Sequence, residues 1–272
     1  MLITYLKTAW RGIVRNKVYS GLNIFGLAIG MAVALLIGLW IYYQCSFDRF
    51  TPGYGQAYQV KYNFSDNGAV KTQPEIAIPL ADALKNEVPE IDRVALAFGP
   101  DNYGSQSDIL RVGDKTISPV ELTAGDDFLK IVELPLLQGS ADNALSDPNN
   151  IVLTASVARA LFGNADPMGK IIRASDYVNF KVTAVLKDLP PNSTLQFGCI
   201  LPWRHFATGW VKMASTNWDH NFFKLYASLK PNVDYAQVAP KIKGLVQKYA
   251  PSTYSTLKQE VIMQPMADWH LY

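Results

Sequence analysis

The sequence predicts an α+β protein: one N-terminal transmembrane helix, then an extracytoplasmic domain made of two subdomains. Three observations carry this. Val18 to Phe47 is a run of thirty residues with no charged side chain. Two stretches patterned strand–helix–strand begin near Ala57 and near Phe222, separated by roughly 120 residues. Between them the texture changes to short strands and turns. The pair of outer units suggests a split ferredoxin-like arrangement of βαβ units with a β-rich subdomain inserted between its halves. The expected segments are residues 1–17, 18–47, 48–99, 100–221 and 222–272.

The first segment is a basic amphipathic helix. Leu2, Ile3, Leu6, Trp10, Ile13 and Val14 fall at helical spacing, with Lys7, Arg11 and Arg15 largely on the other side. Such a helix suits the cytoplasmic interface of a bilayer, its cations reaching anionic headgroups. Asn16-Lys17, then Ser20-Gly21, are expected to mark the bend into the membrane.

The second segment is apolar all round between Leu22 and Tyr43, whereas a soluble helix of that length would show a polar face. A hydrocarbon core of about 30 Å needs about 20 such residues. Lys7, Arg11, Arg15 and Lys17 precede the span with no acidic residue among them, while Asp48 and Arg49 after it cancel. The positive-inside rule places the N-terminus in the cytoplasm and the residues after about 48 outside. The whole chain is +2 and its first 17 residues carry +4, which leaves −2 for the rest. A nearly neutral outer domain argues against a nucleic-acid partner. A cleaved signal peptide fits poorly, because the apolar run exceeds about 15 residues and no Ala-x-Ala site follows. Tyr43 and Gln44 before Cys45 are not the small residues of a lipoprotein cleavage site.

Gly26, Gly30, Ala34 and Gly38 recur every fourth residue and form one nearly straight stripe of small side chains. Such a stripe lets another membrane helix approach closely. Glycine is also simply commoner in membrane helices, and both readings stand at this point.

In the outer domain, Ala57 to Phe64 alternates as a strand, and Ser65-Asp-Asn-Gly68 has hairpin chemistry. A helix is expected to start at Pro79 and bury Leu80, Ala83, Leu84 and Val88; Pro89 ends it, and Ile91 to Phe98 is the next strand. At the far end, Phe222 to Leu229 is a strand. Asp234 caps a helix burying Val238, Ile242, Leu245, Val246 and Tyr249, weakened by Pro240 and Gly244, and Gln259 to Met263 is a strand. In the middle, Ile109–Val112 and Thr116–Leu122 are expected to form a hairpin around Gly113-Asp-Lys115. A short helix over Asp126–Val132 follows, then Leu134–Leu137 and Gly139, and a strand at Ile151–Leu153. Thr154 caps a helix through Phe162, and strands lie at Ile171–Arg173 and Phe180–Leu186.

Catalytic and metal-binding patterns are missing from the sequence. Gly163 to Lys170 nearly matches a phosphate loop, but five residues separate its glycines and Ile171 follows the lysine. Asp166-Pro-Met-Gly169 reads instead as a β-turn with proline second. The three histidines, His205, His220 and His270, form no metal-ligand pair. Asp219-His220 has no nucleophile elbow to serve. No cofactor is expected. Cys45 and Cys199 would face an oxidising compartment and are expected to be free. Trp203, Phe206, Trp210, Trp218, Phe222 and Phe223 are expected to pack between subdomains rather than line a ligand surface.

A resemblance covers nearly all of the chain. Trp10-Arg-Gly-Ile-Val-Arg-Asn-Lys17, Asn23-Ile-Phe-Gly-Leu-Ala-Ile-Gly30 and Ser46-Phe-Asp-Arg-Phe50 resemble the opening of ABC-transporter permeases of the MacB/FtsX type whose ATPase is not fused. Ala158-Arg-Ala-Leu-Phe-Gly163, Asp166-Pro-Met-Gly-Lys170 and the run from Val182 to Lys187-Asp-Leu-Pro-Pro-Asn-Ser193 resemble the periplasmic core of the same family. The resemblance implies a non-enzymatic permease subunit in a bacterial inner (cytoplasmic) membrane. It implies a permease dimer, homo or hetero, on a cytoplasmic ABC ATPase subunit, and either a periplasmic partner or peptide, drug or lipoprotein cargo. It also implies that the chain is the N-terminal part of a longer permease with at least three further spans. The alternative is a single-span anchored periplasmic ligand-binding or sensor domain.

Overall fold

The computed structural model describes residues 2–66, 68–99, 102, 107–175 and 177–271. The chain divides into two compact units, Met1–Phe47 and Asp48–Tyr272.

The first unit is two helices, α1 (Leu2–Arg15) and α2 (Lys17–Gln44). They part at Asn16, whose backbone leaves helical geometry at φ −111° and ψ 55°. The expected second bend at Ser20-Gly21 does not exist. Ser20 donates its N–H to Asn16 O at 2.9 Å, so both residues lie inside α2. The helix stops at Gln44, three residues before the expected end, where Cys45 N–H closes on Ile41 O and the Ser46 hydroxyl on Tyr43 O.

The second unit opens with a 3-10 turn at Pro52–Gly55, followed by β1 (Ala57–Asp66), β2 (Ala69–Gln73), β3 (Ile76–Ala77), α3 (Pro79–Glu87) and β4 (Ile91–Phe98). Pro79 sits in the first turn of α3, where its missing N–H costs nothing. Leu80, Ala83 and Leu84 of α3 and Val88 just beyond it are buried as their spacing requires.

The middle of the chain supplies β5 (Leu110–Val112), β6 (Lys115–Ile117), β7 (Glu121–Ala124), α4 (Phe128–Val132), β8 (Leu136–Gly139), β9 (Asn150–Thr154) and α5 (Ala155–Phe162). It continues with β10 (Ile171–Ala174), β11 (Val178–Leu186), β12 (Cys199–Pro202), α6 (Trp203–Phe206) and α7 (Gly209–Ala214). The last part is β13 (Asn221–Leu229), α8 (Tyr235–Ile242), α9 (Leu245–Tyr249), α10 (Pro251–Leu257) and β14 (Glu260–Pro265).

One sheet runs β14-β1-β13-β4-β7-β12-β9-β11-β10-β5-β6. Its first four strands are antiparallel neighbours throughout. With α3 connecting β1 to β4, and α8, α9 and α10 connecting β13 to β14, this is the split βαβ arrangement. Val60, Tyr62, Leu225, Val261 and Met263 meet the buried faces of α3, α8 and α9 in one core. Beyond β4 the sheet mixes senses, with β12 parallel to β7 and β9 parallel to β11.

Four local expectations need correction. Thr116–Leu122 is not one strand: β6 lies at the far edge of the sheet and β7 in its middle. Pro119, which has no N–H to give a ladder, lies between them. The helix after Asp234 is broken into α8 and α9 at Gly244, with Pro240 inside α8. The Asp234 cap itself holds, accepting Ala236 N–H at 3.0 Å. Tyr249 is exposed rather than buried; its ring stacks on Trp218. The aromatic run also divides. Trp203, Phe206 and Phe223 pack with Phe98, whereas Trp218 belongs to the helical core and Phe222 is exposed. The Trp210 side chain lies outside the described residues.

Candidate functional site: the apolar helix and the Asp48 joint

Within the first unit, α2 has no buried residue, its most apolar 18-residue stretch has a mean hydropathy of 2.5, and among the described residues it alone is long and apolar enough to cross a bilayer. At 1.5 Å per residue it spans about 42 Å, more than a hydrocarbon core of about 30 Å. Gly26, Gly30, Ala34 and Gly38 all lie on α2, and a Cβ built at any of the three glycines meets nothing within 4 Å. Positions four apart on a helix form a ridge inclined to its axis, the surface that interdigitates in helix packing. Lys7, Arg11 and Arg15 are exposed on α1, and Lys17 is the first residue of α2.

The second unit begins on a buried charge. Asp48 is 1% exposed and holds a left-handed backbone, φ 58°. Its carboxylate accepts from the Ser193 hydroxyl at 3.3 Å, from Thr194 N–H at 2.8 Å and from the Thr194 hydroxyl at 2.5 Å. Its own N–H donates to Asn192 O at 3.0 Å. Burying a carboxylate without partners would cost several kcal/mol, so these donors are what make the position tenable. The Asp48 carbonyl accepts from both the N–H and the hydroxyl of Thr51, closing the turn that follows.

That turn is pressed onto α4: a Cβ on Gly53 would stand 2.6 Å from Val132 O. Phe50 and Tyr54 pack on the same core as Phe128, Ile131, Met266 and Trp269. Trp269 is fixed by its indole N–H on Gln264 O at 3.1 Å and by its ring against Tyr226. The start of the second unit and the turn at Met266–Asp268 with Trp269 are therefore seated in one hydrophobic cluster.

The loop that grips Asp48 also caps α5. Thr154 was expected to cap that helix, but its side chain makes no capping bond. Asp188 does so instead, accepting Ser156 N–H at 2.8 Å and the Ser156 hydroxyl at 2.7 Å. Residues 188–194 thus tie α5 at one end and Asp48 at the other. Sequence reasoning gave Asp48 no structural role, noting it as a charge that cancels Arg49 and as part of the family-like run Ser46-Phe-Asp-Arg-Phe50. A lone acid directly after thirty uncharged residues was the available signal.

The other sequence candidates fall into place as structure. The turn near Pro167 closes by Lys170 N–H on Pro167 O, one residue later than expected, with Gly169 at φ +71°. Asp166 caps it from outside by accepting Met168 N–H, and β10 rather than a helix follows, so no phosphate cradle is built. Asp219 accepts the Thr253 hydroxyl at 2.7 Å, anchoring α10, and His220 lies edge-on to Phe222. Both cysteines are free, Cys45 exposed and Cys199 buried. Burial, then Glu121 and Asp108, push the Cys199 thiol well up, which makes it unreactive. Among the described residues no group of three or more His, Cys, Asp or Glu is placed to hold a metal ion. Glu121 is held up to about 7, by burial first and then by the Asp108 charge, against the Asp108 N–H it accepts at 3.2 Å.

The family model for the MacB-like periplasmic core domain matches residues 20–245. The chain belongs to that family. No curated protein matches it. Among solved structures, a domain of a permease protein from Porphyromonas gingivalis is similar at 21% identity and a TM-score of 0.63, covering 79% of this chain and 91% of that one. The periplasmic region of MacB from Actinobacillus actinomycetemcomitans is similar at 17% identity and a TM-score of 0.52, with the same coverages. At these identities the likeness is one of fold. The MacB-like core, with one apolar helix before it, fits the general role of a permease component in an inner membrane with its sheet domain periplasmic.

Proposed function

We propose that this chain is the N-terminal part of a permease subunit in an ABC-type export or mechanotransmission complex. A separate cytoplasmic ATPase subunit hydrolyses ATP, and the chain couples that cycle to movement of its periplasmic domain without catalysing a reaction itself. The observation that carries the reading is the Asp48 joint. The residue where the chain enters the MacB-like core is buried and bonded to the loop that also caps α5. A motion arriving along the chain would therefore be delivered to the sheet domain rather than absorbed by a slack linker.

In this reading residues 1–17 lie on the cytoplasmic face, where Lys7, Arg11, Arg15 and Lys17 meet anionic lipid and the helix contacts the ATPase. Residues 18–47 cross the bilayer and pack through Gly26, Gly30, Ala34 and Gly38 against other spans of a permease dimer. Residues 48–99 with 222–272 form one periplasmic subdomain, and 100–221 form the inserted one. The test is co-purification of the intact permease with an ATPase encoded beside it, with turnover measured in nanodiscs. The expected result is that the permease changes ATP turnover and that Asp48→Ala reduces this effect while complex formation persists. An ATPase that neither binds nor responds would overturn the reading.

A further inference from the structure

The segment 188–198 leaves the sheet after β11 and returns as β12, and both its ends meet the start of α5. At the outgoing end Asp188 accepts Ser156 N–H at 2.8 Å; at the returning end Gly198 O accepts Thr154 N–H at 2.9 Å. Gly198 is so close to α5 that a Cβ there would stand 3.0 Å from Val157 Cγ2. A segment whose ends close on one helical turn is a compact Ω-loop. Its tip, Asn192 to Thr194, is what holds Asp48. We propose that this loop is a lever: displacement of Asp48 at its tip moves α5 at its base, and Gln196 is the positioning residue that keeps it stiff. The proposal rests on the permease reading above and extends it, because it names α5 and the strands beneath it as the part that is driven.

A lever transmits displacement only if it does not bend. Pro190 and Pro191 restrict two successive φ angles on the outgoing limb. Ser193 N–H then closes a turn on Pro190 O at 3.1 Å. Gln196, on the returning limb, spans the loop: its side-chain amide donates to Pro190 O at 2.9 Å and to Ser193 O at 3.0 Å. Leu189, Leu195 and Phe197 seat both limbs on the core that also holds Phe50, Met266 and Trp269. Gln196 itself is exposed, so removing its amide loosens the loop without emptying a packed core.

The driven part is set by what α5 touches. Ala158 and Leu161 pack with Leu110 of β5, Ile151 of β9, Ile172 of β10 and Phe180 of β11. Beyond its last turn, a Cβ built at Gly163 would lie 3.7 Å from Lys115 Nζ of β6, the outermost strand. None of these residues belongs to the core under α3, α8 and α9. A close-packed interior passes strain on to whatever it touches, so movement of α5 reaches the β9-β11-β10-β5-β6 end of the sheet first.

The test has two arms. In the full chain in nanodiscs, hydrogen exchange read by mass spectrometry should show the first turn of α5 exchanging at least threefold faster in Asp48→Ala and in Gln196→Ala. Helix α3 should keep the parent rate, which a general loss of stability would not allow. In the intact permease with its ATPase, Gln196→Ala and Asp188→Ala should cut the ATP-turnover response at least threefold while the complex still forms. Asp188→Asn, which keeps an oxygen to accept from Ser156, should restore it. Exchange in α5 that stays at the parent rate in both variants, or that rises equally in α3, would overturn the lever, as would a parent-like turnover response in Gln196→Ala. A parent permease that leaves turnover unchanged would instead sink the permease reading, and the exchange arm, run without the ATPase, tells the two failures apart.

Discussion

Thr194 grips Asp48 twice, through its backbone N–H at 2.8 Å and through its hydroxyl at 2.5 Å, across 146 positions of chain. The first residue of the sheet domain is thereby bonded to a loop in its interior. Removing the carboxylate would leave the Ser193 hydroxyl and both Thr194 donors unmet in a buried place, and would put a residue less suited to positive φ at 58°. We expect Asp48→Ala to cost about 3 kcal/mol and Asp48→Asn, which keeps an acceptor and tolerates that backbone, about 1 kcal/mol. Thermal unfolding of the full chain in detergent measures both. A double-mutant cycle with Thr194→Ala should return a coupling above about 1 kcal/mol; additive losses would mean the pair is incidental.

Gly53 provides an internal comparison with Gly55, two residues on in the same turn. A methyl at Gly53 meets the carbonyls of Val132 at 2.6 Å and Ile131 at 2.8 Å, whereas one at Gly55 meets nothing within 4 Å. The clash is with backbone, which cannot rotate away. Gly53→Ala is therefore expected to lower stability by about 2 kcal/mol and Gly55→Ala to stay within about 0.5 kcal/mol. The same melting measurement decides it, and equal effects would show that the turn is not pressed onto α4.

These residues mark where the sequence was legible and where it was not. Strand β4 and the start of α3 at Pro79 were readable because their signals are local: alternation, a helix face, and proline on either side. The split pairing of two βαβ units was readable from patterns at opposite ends of the chain, whereas the strand order β14-β1-β13-β4 comes from the structure. The split between β6 and β7 was not, since both flanks of Pro119 look extended and only the sheet decides that they separate. Asp48 was illegible for a stronger reason. Its role is set by Ser193 and Thr194, and nothing in the neighbourhood of either segment announces the other.

Glu121 should write a pH signature on stability. Burial holds its carboxyl up to about 7, against an ordinary value of 4.5. The folded state thus keeps a proton that the unfolded chain releases. The stabilisation is fully present below about pH 4.5, declines as pH rises, and is gone above about pH 7. At about 1.4 kcal/mol per unit the window is worth on the order of 3 kcal/mol. Melting curves from pH 4.5 to 8 should show this decline in the parent and a shallower one in Glu121→Gln. An unchanged slope in the variant would assign the pH dependence to other groups.

Gly30 tests whether the stripe on α2 is a packing surface or ordinary membrane composition. Replacing it with Leu adds apolar bulk at a position where nothing lies within 4 Å in this chain. Insertion should therefore be unaffected, because leucine is at least as favourable as glycine in hydrocarbon. If α2 meets another span through Gly26, Gly30, Ala34 and Gly38, the added side chain holds the two backbones apart and removes close contact along the ridge. Disulfide crosslinking between α2 and the other spans of the intact permease should fall by about tenfold, roughly 1.4 kcal/mol of association, with membrane content unchanged. Leu39→Ala, on the side of α2 opposite the small-residue row, is the control that should leave crosslinking intact. Crosslinking that survives Gly30→Leu would reduce the stripe to composition, while the helix would still cross the bilayer.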